Sequence, residues 1–188
     1  MVSNARLLVR GILTSIDVGY RRAHELQPVG DILHLGISRH RGTALVLPDG
    51  TRVVEGARVG QLHFDNSRAA KVQAEGRVQA GVRFARLLRD SFGELAARAQ
   101  ADDGLREVPL YEGVTWFQPH GRAVGFVSEP LPPGPRKQWL ARYFRLMVWA
   151  FAPIAATAPV QEIEPRVFRI SRNALIQNFA RNARERSK

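Results

Sequence analysis

Apolar residues near the amino terminus recur every three or four positions, which is the spacing of one face of an α-helix. Two rows run through residues 4–25, Leu8-Ile12-Ile16-Gly19 and Val9-Leu13-Ile16-Tyr20, while the charged residues lie largely elsewhere. This pattern predicts an amphipathic helix. We expect the helix to pack on the domain. A dimer or membrane surface is the alternative, because basic amphipathic helices also lie on membranes.

Short runs rich in β-branched residues follow this helix, separated by turn-forming residues. They cover residues 31–38, 43–47, 51–54 and 59–64. Between the second and third runs, Pro48 presets its φ, Asp49 can bond the local backbone, and Gly50 tolerates positive φ. We therefore predict a hairpin turn there and a further turn at residues 55–57.

The middle of the chain predicts a long helix. From Ser67 to about Ala99, apolar side chains step by three or four residues, so one face of this helix belongs to the core. Residues 107–117 and 122–128 are then typical of a second pair of strands, and residues 166–171 alternate like a further strand.

The remaining segments predict C-terminal helices. Residues 130–135 are rich in proline and predict a stiff connector before a helix at residues 136–152. A basic helix at 171–188 follows, with Ser171 or Asn173 as its cap. The predicted fold class is α+β, as one domain over residues 1–188. Short antiparallel strands and hairpins pack with an N-terminal amphipathic helix, a long central helix and C-terminal helices.

Charge narrows the choice of partner, because 28 basic residues outnumber 17 acidic ones and give a net charge of +11. Such a chain prefers anionic partners, namely nucleic acid, anionic lipid or acidic glycan. Residues 166–188 alone hold seven basic side chains against one acidic. The chain has no cysteine, which excludes disulfides, thiolate metal sites and a cysteine nucleophile.

No segment predicts a signal peptide or a membrane span. Charged residues interrupt the apolar run at the amino terminus, and no small-residue cleavage site follows it. Residues 146–161 are uncharged but contain two prolines, and they fall short of the roughly 20 apolar residues that cross a bilayer. We expect a cytoplasmic protein, with peripheral membrane attachment as an open alternative.

The helix at residues 136–152 has a wide apolar arc and only a narrow polar strip. This strip contains Gln138, Arg142, Arg145 and Trp149, so two guanidinium groups flank an indole. One interpretation is a deeply buried helix with a single exposed edge. The other is that Arg142, Arg145 and Trp149 contact a membrane, a glycan, a phosphate group or a partner.

His63 and Asp65 are two residues apart at the end of a predicted strand, so their side chains face the same side if the strand continues. An imidazole and a carboxylate together can form an acid-base pair or hold a metal ion. However, Asp65, Asn66 and Ser67 are also placed to cap the next helix, where a side-chain oxygen accepts from an unpaired backbone N–H. We keep His63, Asp65 and Asn66 as ligand-binding candidates, and His63 and Asp65 as a candidate catalytic pair.

A basic cluster, Arg39, His40 and Arg41, comes just before the first hairpin. We expect it to lie beside His63 if the two strands pair antiparallel, which would create an anion site. A solvated loop is the alternative, because short basic clusters are common on so basic a chain. His120 is a weaker candidate of the same type.

Several signatures of known chemistry are absent from the sequence: the phosphate-binding loop with Lys-Ser/Thr, the Gly-x-Ser-x-Gly elbow and the His-Glu-x-x-His helix. The five histidines include no pair at i, i+4, which excludes a helical two-histidine metal site. We predict neither a metal nor a cofactor. The sequence also has no clear nucleic-acid-binding motif, so nonspecific binding through the basic tail is only a third alternative.

Short motifs in a fixed order extend over most of the chain. They are Arg39 to Gly42, Leu47 to Thr51, Gly60 to Asn66, Gly113 to Thr115, Gly125-Phe126 and Arg169 to Leu175. In these motifs the chain resembles the YkoP-like family, a small bacterial domain found alone or joined to polysaccharide deacetylases. The resemblance implies envelope polysaccharide or glycolipid metabolism but supplies no established catalytic residues. The chain lacks the Asp and His-x-x-x-His metal arrangement of a deacetylase domain, so we do not expect that reaction.

We therefore expect a non-catalytic accessory protein that recognises an anionic envelope glycan, a lipid-linked precursor or a partner enzyme. Its expected ligand-binding residues are the basic cluster together with His63, Asp65 and Asn66. The alternative is a hydrolase or transferase of envelope metabolism. In that case His63 is the general base, Asp65 orients it, and Arg39 or Arg41 stabilises developing negative charge.

Overall fold

The computed structural model describes residues 4–65, 68, 77–115, 125–151 and 164–185. The strands are β1 (Gln27–Val29), β2 (Leu33–Arg39), β3 (Leu45–Val46), β4 (Arg52–Val53), β5 (Arg58–Phe64), β6 (Leu110–Thr115), β7 (Val127–Pro130) and β8 (Arg166–Ser171). The helices are α1 (Asn4–Ala23), α2 (Arg77–Ala101), the short α3 (Asp103–Arg106), α4 (Pro135–Phe151) and α5 (Arg172–Glu185). The fold is α+β, as the sequence predicts.

Six of the described strands form one mixed sheet in the order β1-β2-β5-β6-β8-β7, and β3 and β4 form a separate hairpin. Neighbours in the large sheet run antiparallel except β5 and β6, which are parallel. A parallel pair needs a long crossover, and α2 lies between these strands in the chain. The carboxyl ends of β5 and β6 therefore meet at the same edge of the sheet.

The predicted pairing of residues 107–117 with 122–128 is wrong, because β8 lies between β6 and β7. Arg169 of β8 is opposite Glu112 on one side and Val127 on the other. β8 has alternating buried side chains suited to a central strand, whereas β7 is largely exposed and ends at a proline, as edge strands can.

The predicted hairpin turn at Asp49-Gly50 and the predicted helix cap at Ser171 are confirmed. The β3–β4 hairpin turns at Gly50, whose φ is +82°, and Asp49 Oδ1 accepts a hydrogen bond from Thr51 N at 3.1 Å. Ser171 Oγ accepts from Ala174 N at 2.9 Å and so caps α5. The predicted start of the long helix near Ser67 lies outside the described residues, and β1 was not predicted.

The larger core lies between one face of the sheet and helices α2 and α5. Both helices contribute buried aromatic and aliphatic side chains to this layer. From the sheet it contains Leu33, Leu35, Leu62, Tyr111, Phe168 and Ile170, and from the helices Phe92, Leu95, Leu175 and Phe179. The apolar stepping of the long helix is thus confirmed at its C-terminal half, while Val82 is exposed.

Helices α1 and α4 cover part of the opposite face of the sheet. Leu13 of α1 packs with Phe144, Met147 and Ala150 of α4. The helix predicted at 136–152 is therefore confirmed at Pro135–Phe151. It buries one narrow face rather than a wide arc, since Trp139 and Leu146 of the predicted arc remain exposed.

Helix α1 packs on the domain, as we expect from its sequence, but not through the whole of its apolar side. Leu13 does pack on the domain, but Leu8, Ile12 and Ile16 face outward. The inward side instead includes the buried Asp17. The physical reason is that the charged residues of α1 find partners on the sheet and on α4, whereas the apolar row does not.

Polar side chains cross the sheet on the face towards α1 and α4. Gln61 Nε2 donates to Glu112 at 2.9 Å, and Arg169 Nε donates to the other oxygen of Glu112 at 3.1 Å. Arg169 also pairs with Glu129 at 2.6 Å. The charges of Glu112, Arg169 and Glu129 thus compensate one another, so this face of the sheet can hold a polar site.

Replacement of Gly113 by Ala should destabilise the sheet. An added Cβ would lie 2.6 Å from the backbone oxygen of Leu62 and 2.7 Å from the Phe168 ring, and a backbone atom in a central strand cannot move aside. We expect a loss of about 1–3 kcal/mol in the free energy of unfolding, measured by urea denaturation. The control is Gly11→Ala on α1, where the Cβ meets nothing within 4 Å and should stabilise by roughly 0.5–1 kcal/mol. Equal stability of the two variants would contradict this packing.

Candidate functional site

A cavity of about 260 Å³ lies between α1, α4 and the polar face of the sheet. Its position follows from the fold, because two helices and the adjoining ends of β5 and β6 surround it. The polar and aromatic residues that line it are Asp17, Tyr20, Gln61, His63, Phe64, Arg136, Trp139, Tyr143 and Phe144. We call this cavity the α1–α4 pocket. It combines apolar walls with a few converging polar groups, as small-molecule sites do.

A histidine-carboxylate pair forms one wall of the pocket. His63 Nε2 lies 2.6 Å from Oδ1 of Asp17, whose side chain is 1% exposed. An ionised carboxylate can only accept hydrogen bonds, so Nε2 carries the proton and donates to Asp17. The side chain of His63 is 26% exposed, which leaves part of the imidazole available to a molecule in the pocket.

Arg21 connects this pair to two further residues. Its guanidinium lies 3.3 Å from Asp17 Oδ2, one helical turn away, and 3.4 Å from Asp65 Oδ2. It also lies 3.0 Å from Nε2 of His34, which is directly opposite His63 in the β2–β5 register. Three elements, α1, β2 and β5, therefore supply one charged network, which we call the Asp17 network.

His34 is the buried end of the Asp17 network. Burial and the positive charge of Arg21 lower the pKa of His34 below its usual value of 6.5. Arginine only donates, so Nε2 of His34 accepts from Arg21 and its proton sits on Nδ1. Among the described residues, Nδ1 has no hydrogen-bond partner.

A stacked aromatic pair forms another part of the pocket wall. The rings of Trp139 and Tyr143 have centroids 5.4 Å apart and planes only 9° apart. Tyr20 lies on the α1 side, with its ring centroid 5.1 Å from that of His63. Aromatic faces carry partial negative charge, so they attract cations and the slightly positive C–H groups of a ring-shaped ligand.

Asp65 acts first as a helix cap. Its Oδ1 accepts from the backbone N–H of Arg68 at 3.0 Å, which confirms the cap interpretation for this residue. Asp65 and His63 do share one network, but Asp17 rather than Asp65 holds the imidazole. The orienting role expected for Asp65 is therefore wrong, and Asn66 lies outside the described residues.

The basic cluster lies away from the pocket, contrary to our expectation. β2 and β5 are antiparallel, but their register places Arg39 opposite Arg58, five residues from His63, or roughly 16 Å along the strand. Arg39 donates to Gly56 O, and His40 is buried with Nε2 3.0 Å from Thr43 O. Arg41 is exposed. The proposed anion site beside His63 is thus not assembled from these residues.

The polar strip of α4 also lies outside the pocket. Arg142, Arg145 and Trp149 are exposed, and Arg6 of α1 lies over the Trp149 ring at 5.3 Å. The same helix lines the pocket instead through Arg136, Trp139 and Tyr143 among others. His120, the weaker candidate, lies outside the described residues.

Sequence reasoning missed Asp17, Gln61, Arg136 and the aromatic pair. One signal was present for Asp17, since it lies four residues after Leu13 and four before Arg21, on the inward side of α1. An acid on the buried side of a helix needs partners from elsewhere in the fold, and the sequence does not identify them. The described residues include no group of three His, Asp or Glu side chains that could hold a metal ion.

The fold is α+β, and a pocket lies between its helical layer and its sheet. The chain belongs to the YkoP domain family, whose model matches residues 6–179. No curated protein and no solved structure matches the chain. In the described part of the chain, none of the helices has the length and hydrophobicity needed to cross a membrane.

Stability should decrease when the pH falls below about 6.5, because the pKa of His34 is lower in the folded state than in the unfolded chain. Between the folded and unfolded pKa values the unfolded state binds more protons, so the free energy of unfolding rises with pH and is lost on acidification. Urea denaturation between about pH 5 and pH 8 measures this. His34→Gln should flatten the profile in that window, whereas the exposed His24→Gln should not; equal profiles for all three proteins would contradict the assignment.

Proposed function

We propose that the protein is a non-catalytic binding protein of cell-envelope metabolism. Its α1–α4 pocket would hold an anionic, sugar-bearing ligand, such as an envelope glycan or a lipid-linked glycan precursor. The observation that supports this most is the stacked Trp139–Tyr143 pair facing polar groups in one cavity. The envelope setting rests on the YkoP resemblance, and a cytoplasmic location belongs to the same proposal.

The size and walls of the pocket favour a ligand of this kind. At about 260 Å³ it is smaller than the roughly 300–1,000 Å³ of sites for drug-sized ligands, so one ring is the expected occupant. The aromatic faces would pack on the C–H face of a sugar ring. Gln61 and His63 offer hydrogen bonds to hydroxyl groups, and Arg136 offers a charge-assisted pair to a carboxylate or phosphate.

The ligand-binding residues proposed here differ from those expected from the sequence. His63 remains, but Arg136 replaces the basic cluster as the cation at the pocket. Asp65 supports the site only indirectly, through Arg21. The proposal also allows a partner enzyme, because an accessory protein would present its ligand to such an enzyme.

Loss of the aromatic wall should weaken ligand binding. Trp139→Ala removes one member of the stacked pair, and we expect about a tenfold higher Kd, or roughly 1.4 kcal/mol. Titration calorimetry with uronic-acid and N-acetylhexosamine oligosaccharides and with sugar phosphates measures this effect. The matched control is Trp149→Ala, an exposed tryptophan on the same helix that does not line the pocket. Failure of every probe to bind the wild-type protein, or equal binding by both variants, would contradict the proposal.

A second candidate function, hydrolysis, is favoured by the Asp17–His63 pair. A buried carboxylate that holds an imidazole at 2.6 Å is the geometry of a general base, and His63 could activate a water molecule in the pocket. Among the described residues that line the pocket there is no Ser, Thr, Cys or Lys, and the Asp17 carboxylate is held by Arg21 and His63, so the step that His63 would assist is direct attack by water. Arg136 would then stabilise the developing negative charge.

Turnover measurements separate the two candidate functions. If the protein only binds, acetyl-ester, phosphoester and glycoside substrates should show no hydrolysis that depends on His63. A rate that falls by about 10²-fold or more in His63→Gln, while Kd stays nearly constant, would assign catalysis to this residue. The control is His24→Gln, because His24 is exposed and does not line the pocket.

A further inference from the structure

The outward face of α1 has no charged side chain over four turns of the helix. Between Leu7 and Tyr20 the exposed residues are Leu7, Leu8, Gly11, Ile12, Ser15, Ile16, Gly19 and Tyr20. The charged residues of this segment turn inward instead: Asp17 joins the Asp17 network, and Arg10 Nε donates to Ala150 O at 2.7 Å. The usual arrangement of a surface helix is therefore inverted.

This uncharged face continues onto α4. Ile16, Tyr20 and Trp139 line the same pocket, so exposed apolar side chains of the two helices adjoin there. We define the outer apolar surface as Leu7, Leu8, Ile12, Ile16, Tyr20 and Trp139. Eight of the twelve exposed large hydrophobic residues in the described part of the chain lie on α1 and α4. Such clustering marks an interaction surface, whereas scattered single residues do not.

The same two helices carry a strong positive charge. α1 and α4 contain eight basic side chains and one acidic side chain, Asp17, which is buried. Arg136, Arg142 and Arg145 are exposed, and no ion pair in the described part of the chain involves them. The two-helix layer is thus apolar and cationic, and it has no exposed acid.

We infer that the outer apolar surface docks on an anionic phospholipid bilayer. Aliphatic side chains with a tyrosine and a tryptophan suit the boundary between headgroups and acyl chains, and nearby arginines pair with anionic headgroups. A soluble polyanion would satisfy the arginines but leave the apolar row in water. A second copy of the chain would bring two cationic layers together, so charge complementarity favours lipid over self-association.

Docking in this orientation would place the membrane beside the mouth of the α1–α4 pocket. Ile16, Tyr20 and Trp139 belong both to the pocket lining and to the outer apolar surface. A ligand anchored in the bilayer could then enter the pocket without leaving the membrane. This consequence rests on the proposed function, whereas the docking itself does not.

The double variant Leu8→Glu/Ile12→Glu tests the docking. Both side chains are exposed and neither lines the pocket, so the fold and the ligand site should be retained. In sedimentation with vesicles of phosphatidylglycerol and phosphatidylcholine, we expect the wild-type protein to bind and the variant to bind at least about tenfold more weakly. The matched control is Val46→Glu on β3, since Val46 is 68% exposed and Leu8 is 67% exposed.

The charge contribution is tested with Arg142→Gln/Arg145→Gln and with vesicles of phosphatidylcholine alone. We expect weaker binding to the neutral vesicles, and roughly fivefold weaker binding to anionic vesicles for each arginine removed. Absence of wild-type binding to anionic vesicles, or equal binding by wild type and Leu8→Glu/Ile12→Glu, would overturn the inference. A wild-type dimer in light scattering that Leu8→Glu/Ile12→Glu dissociates would assign the face to a second copy instead. Sugar titrations on the same double variant report the pocket separately, so the two proposals can fail independently.

Discussion

The buried carboxylate of Asp17 is the contact on which the arrangement of α1 depends. An unpaired carboxylate at this depth would cost several kcal/mol, and Arg21 and His63 together provide the compensating charge and hydrogen bond. Arg21 is on the same helix as Asp17, but His63 is on β5. The contact between Asp17 and His63 can therefore form only when one particular side of α1 faces the sheet. The network thus selects the rotation of the helix about its axis.

Two features of the surface follow from this selection. The apolar row that includes Leu8 and Ile12 is left outward, because it lies opposite Asp17 around the helix. The imidazole of His63 is held at the pocket wall rather than free to rotate, because Asp17 accepts its Nε2 proton. The pocket and the outer apolar surface are therefore two consequences of one buried carboxylate and its partners.

Much of the fold could be predicted because its signals are local. The Asp49-Gly50 turn, the Ser171 cap and the apolar stepping of α2 each depend on residues a few positions apart. The strand order could not be predicted in the same way. β8 inserts between β6 and β7 through pairs such as Glu112 with Arg169, and nothing near either residue in the sequence specifies that partner.

The site was only partly predictable for the same physical reason. His63 was identified because a histidine at a strand end beside an acid is a recognisable local pattern. Its actual partner, Asp17, is 46 residues away, and the nearer acid, Asp65, caps the helical turn at Arg68 instead. A short carboxylate near a helix start has an unpaired N–H within reach, so local capping competes with any longer-range role and here it prevails.

The inverted helix shows a more general limit. A helical wheel of α1 separates apolar from charged residues equally well whichever side faces the domain, so periodicity predicts a helix but not its orientation. The orientation depends on whether the interior offers partners for the charges, and here Arg21, His63 and the carbonyl of Ala150 satisfy them. When the charged side of a helix is paired inside the protein, its apolar side is left to contact lipid or another partner. Since α1 also forms a wall of the pocket, whatever covers its outer side would lie next to any ligand bound within.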